Sequence, residues 1–79
     1  MFYFTYVLRS KKDKNLYIGF TSNLKKRLVE HNNGFVLATK NRRPIELVYY
    51  EASRNKDRAL KREKYFKTGF GRRFLKNNI

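Results

Sequence analysis

The chain has 79 residues, with 20 Lys and Arg against 6 Asp and Glu for a formal charge of +14. At 41% hydrophobic and 16% aromatic it is too apolar for a disordered basic tail, and its length suits one small core spanning residues 1–79. The lack of cysteine and the single histidine exclude a disulfide framework, a thiolate or histidine-rich metal site and a cysteine nucleophile.

The opening run MFYFTYVL is too short and too polar-edged to span a bilayer or to act as a signal sequence. It reads instead as a strand over Phe2 to Arg9, with Phe2, Phe4, Tyr6 and Leu8 on one face and Tyr3, Thr5 and Val7 on the other. With no membrane or targeting feature the expected compartment is the cytoplasm, where the polyanions open to so basic a protein are nucleic acids. Ser10 to Asn15 is polar, and Leu16 to Thr21 resumes a strand pattern, so the two runs predict a hairpin with a long loop.

Thr21, Ser22 and Asn23 offer N-cap side chains, Leu24 and Leu28 stand four apart, and Asn32, Asn33 and Gly34 supply a stop, which predicts a short helix. On its wheel Arg27 and His31 flank the apolar stripe and point to the rim of the core. Phe35 to Arg43 has neither period and reads as a loop. Pro44 then introduces a third strand, Ile45 to Glu51, with Ile45, Leu47 and Tyr49 on one face.

Ser53 or Asn55 can cap a second helix running to about Thr68, ended by Gly69 and Gly71, with a last turn or two over Arg72 to Asn78. With Ala59 at 0° on the wheel, Phe66 falls at about 340° and Glu63 at about 40°. Glu63 therefore stands inside the apolar stripe of a helix otherwise rich in Lys and Arg, where a carboxylate needs compensation. An arginine salt bridge would supply it. So would Mg²⁺, an ion often held by one or two carboxylates with water and substrate phosphate filling the other positions.

Phe4-Thr5-Tyr6 and Tyr17-Ile18-Gly19, followed by Arg27, His31 and Glu63, resemble the signature of the GIY-YIG nuclease superfamily. The second half matches literally. In the first half Phe4 and Thr5 replace the founding Gly and Ile, and Tyr6 is kept. The match runs from Tyr3 through Lys67 and is similar to small single-domain bacterial members and to the N-terminal domain of excision-repair nucleases.

The resemblance implies an α+β fold, a central three-stranded antiparallel sheet flanked by helices, and a DNA-cutting activity of low sequence specificity or directed by DNA structure, with a role in DNA repair. It implies that Glu63 holds one Mg²⁺ or Mn²⁺ and that Arg27 neutralises charge developing on the phosphate. Tyr6 and Tyr17 would touch the attacking water and the phosphate. One of them is the general base, favoured by a Lys and Arg excess that lowers a phenol's pKa. His31 would hydrogen-bond the base or the phosphate. Gly19 would admit a close approach by substrate or strand, or equally mark a bulge, Asn78 stands where some members carry a site asparagine, and Lys40, Arg42, Arg43 and Lys67 would contact the substrate backbone.

Larger members gain targeting from an added domain, so a partner protein could deliver the substrate. The alternatives are a non-catalytic DNA- or RNA-binding module and a basic structural protein on RNA, which explain the charge but not the Tyr6, Tyr17, Arg27, His31 and Glu63 set.

Overall fold

Alternating β-formers make the first strand, β1 (Tyr3–Ser10), and the computed structural model, which describes residues 1–79, puts it at the centre of the sheet. β2 (Leu16–Thr21) and β3 (Ile45–Ser53) both pair antiparallel with it, in the order β2, β1, β3. Helices cover both faces of β1, so Thr5, Tyr6, Val7 and Leu8 are all buried although they alternate in direction. Tyr6 and Leu8 form a core with Ile45, against which Tyr17 and two leucines of α1 (Leu24–Asn32) pack. Val7 and Ile18 form the other core with Phe66 of α2 (Lys56–Phe66) and Leu75 of α3 (Gly69–Asn78). The architecture is α+β, a three-stranded antiparallel sheet with one helix on one face and two on the other.

Each helix starts on a side-chain cap. The side chains of Asn23, Asn55 and Thr68 accept from the backbone N–H of Lys26, Arg58 and Gly71 respectively. α1 ends as its composition predicts. Gly34 at φ +79° donates to the His31 carbonyl and Phe35 to the Glu30 carbonyl, a left-handed stop that glycine adopts without strain.

Four sequence expectations need correction. Phe2 lies outside β1 and is half exposed. β3 does not keep one alternation, because a bulge leaves Val48 without a partner: Leu8 faces Leu47 and Val7 faces Tyr49. Ile45 thus packs with Tyr6 and Leu8, while Tyr49 packs with Val7 on the other side. The loop after α1 contains a 3₁₀ turn, Lys40–Arg42. Finally, Gly69 and Gly71 do not simply terminate α2. They open a ten-residue α3 that folds back on it, and a Cβ on Gly71 would collide with the Tyr65 carbonyl and the Phe66 Cα. The glycines do follow the end of α2, and they also begin the next helix, three residues before the turn expected over Arg72 to Asn78, and allow its close crossing.

Arg62 ties the α2 and α3 layer to the sheet. Its guanidinium makes two 2.8 Å bonds to Glu51, which also accepts from the Tyr49 hydroxyl at 2.8 Å, and lies over the rings of Tyr65, Phe66 and Phe74.

Candidate active site

The register Tyr6 opposite Gly19 and Leu8 opposite Tyr17 puts both tyrosines on the α1 face of the sheet. Across Gly19 a side chain is missing, and the Tyr6 ring occupies the space: a Cβ there would strike the end of the ring. The close approach expected at Gly19 is therefore made by Tyr6 itself, and the Tyr6–Gly19 pair lies in regular register with no bulge.

Arg27 and His31, one helical turn apart on α1, both reach the Tyr6 hydroxyl. His31 Nε2 lies 2.9 Å from it and the Arg27 Nε–H donates to it across 3.4 Å. His31 Nδ1 stands 2.7 Å from the hydroxyl of Thr39, whose own proton is directed to the Val36 carbonyl. We therefore assign the proton to Nδ1, donating to Thr39. Nε2 is left as the acceptor for Tyr6. Rather than flanking the rim as the wheel predicts, His31 is fully buried, because the loop after α1 closes over it with Val36 and Thr39. Burial, helped by the Arg27 charge, pushes its pKa from 6.5 down to about 4, so it is neutral at physiological pH.

Burial raises the Tyr6 pKa above 10, against the lowering action of Arg27, and the Glu63 charge adds to the rise. This reverses the expectation that surrounding cations would acidify it: Tyr6 is 1% exposed, and desolvation outweighs the one guanidinium that touches it. Tyr17 differs. It is half-buried, its ring lies 5.2 Å from that of His31 and 6.5 Å from that of Tyr6, and its hydroxyl makes no hydrogen bond within the protein.

Arg27 is half-exposed and also meets Glu30 at 3.2 Å. Glu63 stands on α2 between the buried Ala59 and Phe66, as the wheel predicts, but at the edge of the stripe: its side chain keeps 21% exposure. Its partner is not an arginine but Lys67, at 3.4 Å and 54% exposed, a pairing worth little. Glu63 reaches Tyr6 through its field and makes no hydrogen bond to Tyr6, Tyr17, Arg27 or His31.

The remaining expected contacts are dispersed. Arg42 is paired with Asp13, at 2.9 and 3.3 Å, and holds that carboxyl below its usual range. Arg43 caps local carbonyls of Lys40 and Asn32. Lys40 is exposed. The Asn78 amide donates to the Phe74 carbonyl one turn back and makes no bond to the tyrosine cluster. Thr39 and Glu30 escape the sequence reading. Glu30 carried a signal, three residues after Arg27 on one helix face; Thr39 carried none, since its role depends on a loop's path.

No three His, Asp or Glu side chains converge, which rules out a protein-built cage of the zinc type. A single partly exposed carboxylate whose one partner is a weakly held lysine fits instead a hydrated Mg²⁺ or Mn²⁺, completed by water and phosphate. A separate cleft of about 330 Å³ between β3 and α2, lined by Glu51, Arg58 and Arg62, contains none of the expected site residues.

A family model described as the GIY-YIG catalytic domain matches residues 2–77. The chain is 46% identical over 65 residues to the UPF0213 protein CPE1444 of Clostridium perfringens, covering 81% of this chain and 69% of that one. It is 42% identical over 84 residues to a UPF0213 protein of Pediococcus acidilactici, covering 98% and 83%. The solution NMR structure of the UPF0213 protein BH0048 from Bacillus halodurans superposes with a TM-score of 0.61 at 28% identity, covering 98% of this chain and 84% of that one.

Proposed function

The chain belongs to the GIY-YIG catalytic-domain family, a nuclease-type domain, and from that premise we propose that it is a divalent-metal-dependent endonuclease that hydrolyses DNA phosphodiester bonds with low sequence specificity. The observation that carries this reading is the hydrogen-bonded set of Tyr6, Arg27 and His31 next to the Tyr17 ring, with the weakly paired Glu63 carboxylate acting on Tyr6 through its field.

Glu63 would hold the ion. A Mg²⁺ or Mn²⁺ bound there supplies Lewis-acid polarisation of the phosphate and a lowered pKa for water. Arg27 keeps guanidinium protons free beyond its bonds to Tyr6 and Glu30, and directs them at charge growing on the phosphate oxygens. Tyr6, its O–H donating to neutral His31 Nε2, acts through its lone pairs as a fixed acceptor that aims the Arg27 fork. Tyr17 is the tyrosine whose hydroxyl is unpaired within the protein, and we assign it the general-base role that the sequence left open between the two: its own proton leaves to solvent, and the phenolate oxygen then accepts the proton of the attacking water. The charge of +14 supplies sequence-independent hold on the backbone.

Incubation of the protein with labelled branched, single-stranded and duplex DNA and with RNA, in Mg²⁺, Mn²⁺ or EDTA, tests this reading. Cuts are expected with either ion and none in EDTA. Glu63→Gln should abolish them while DNA binding survives and the melting temperature stays within about 4 °C, because the i,i+4 pair with exposed Lys67 contributes at most about 0.5 kcal/mol. Tight binding without metal-dependent cuts on any substrate would leave a non-catalytic nucleic-acid module.

A further inference from the structure

The β3 bulge builds a feature for which the proposed hydrolysis has no use. Leu8 faces Leu47 and Tyr6 faces Tyr50, so Leu47 and Tyr50, three residues apart, emerge on the same α1 face, where a regular strand would have sent them to opposite sides. α1 is short and covers this end incompletely. Leu47 is 36% and Tyr50 51% exposed. Together with Phe4, Leu24 and Leu28 they line an open cleft of about 510 Å³, and the Phe4 and Tyr50 rings form one of its walls, 6.2 Å apart and tilted by 57°.

The turn Ser22–Asn23 forms part of this cleft and equally part of a smaller, polar one of about 250 Å³ that contains Lys26 and Arg27. An apolar, aromatic recess thus adjoins the arginine proposed to meet the phosphate, with Lys25 at its mouth. A flat π-system attached to an anionic strand matches that pairing of surfaces. A nucleobase can stack on Tyr50 while its neighbouring phosphate reaches Arg27, and the +14 charge favours such a polyanion over an apolar protein partner. A base paired inside a duplex cannot enter, since both its faces are already stacked.

We propose that the cleft of Phe4, Leu24, Leu28, Leu47 and Tyr50 is a subsite for an unpaired nucleobase flanking the phosphate held at Arg27, which makes unpaired strands the preferred substrate. The proposal deepens the nuclease reading and rests on it for the place of the phosphate.

Binding is measured in EDTA, where no cutting occurs, by anisotropy of a labelled single-stranded DNA 12-mer, the same strand made abasic throughout, and the matched duplex. Tyr50→Ala should weaken binding to the normal strand roughly 5- to 150-fold, the range expected for losing one base–aromatic stack. It should leave the abasic strand and the duplex within twofold, and Tyr50→Phe should retain wild-type affinity. Equal losses on all three ligands, or no loss on the normal strand, would overturn the subsite. A dimer in sedimentation that Leu47→Lys dissociates, with strand binding untouched, would also overturn it and assign the face to a second copy of the chain. The two readings fail separately. Tyr50-dependent binding with no metal-dependent cutting removes the hydrolysis alone, and cutting without Tyr50-dependent binding removes the subsite alone.

Discussion

At Gly19 the space that a methyl group would need is filled by the Tyr6 ring, whose hydroxyl anchors both Arg27 and His31. Gly19→Ala should therefore displace that ring, at a cost of about 1–3 kcal/mol for overpacking, and should lower cleavage even at temperatures where the variant is fully folded. Denaturant midpoints and turnover measured on the same preparation separate the two effects. His31 gives a second test at this scale. Below pH 6.5 the unfolded chain takes up a proton at this residue that the folded protein refuses until about pH 4, so the unfolded state binds more protons throughout that window. Stability falls as pH drops from 6.5 to about 4, by up to about 3 kcal/mol, and this contribution is constant outside the window. Melting curves of wild type against His31→Phe should show the wild-type slope flattened in the variant.

The two helices after β3 meet where Gly71 crosses the end of α2, and the atoms in the way of a side chain there are backbone: the Tyr65 carbonyl and the Phe66 Cα. Backbone cannot step aside as a flexible side chain can. Gly71→Ala should thus push α3 off α2, lift Leu75 from the core it shares with Val7 and Phe66, and cost about 2–4 kcal/mol, read as a fall in the denaturation midpoint. Gly69, which meets nothing within 4 Å, serves as control: Gly69→Ala should leave the midpoint unchanged or raise it. The contrast between neighbours of identical sequence type assigns the effect to the crossing rather than to helix propensity.

Across the molecule, 20 cations are spread over the chain, all but Arg9 in loops and helices, and several, such as Arg42, Arg43 and Arg62, are engaged in internal bonds. The rest give a field without a sequence code. DNA affinity should fall linearly on a log–log plot against salt, with a slope of roughly −0.9 per duplex phosphate neutralised. Titrations at several salt concentrations measure that slope. Arg73→Ala and Lys11→Ala should each reduce it by at most about 1, whatever the DNA sequence. A salt-independent affinity would remove charge as the basis of binding.

Local pattern and composition were enough to determine the strands and first two helices, the capping segments 21–23 and 53–55 from which the structure selects Asn23 and Asn55, the stop over residues 32–34 and the placing of Glu63 beside Ala59 and Phe66 on one stripe. These depend on backbone preference and on a period of two or 3.6 residues, which neighbouring residues carry among themselves. The pairing of Tyr17 with the Tyr6 strand was legible for the same reason. What only the tertiary structure decided involves residues distant in the chain. The bulge at Val48 depends on the register with β1, and the occupant of the space above Gly19 depends on a ring from the opposite strand. The burial of His31 depends on the path of residues 35–43, which have no period to read. The state of the candidate site follows from these: desolvation, a property of the assembled environment, keeps the proton on Tyr6 and off His31, and it outweighs the net charge that the composition displays.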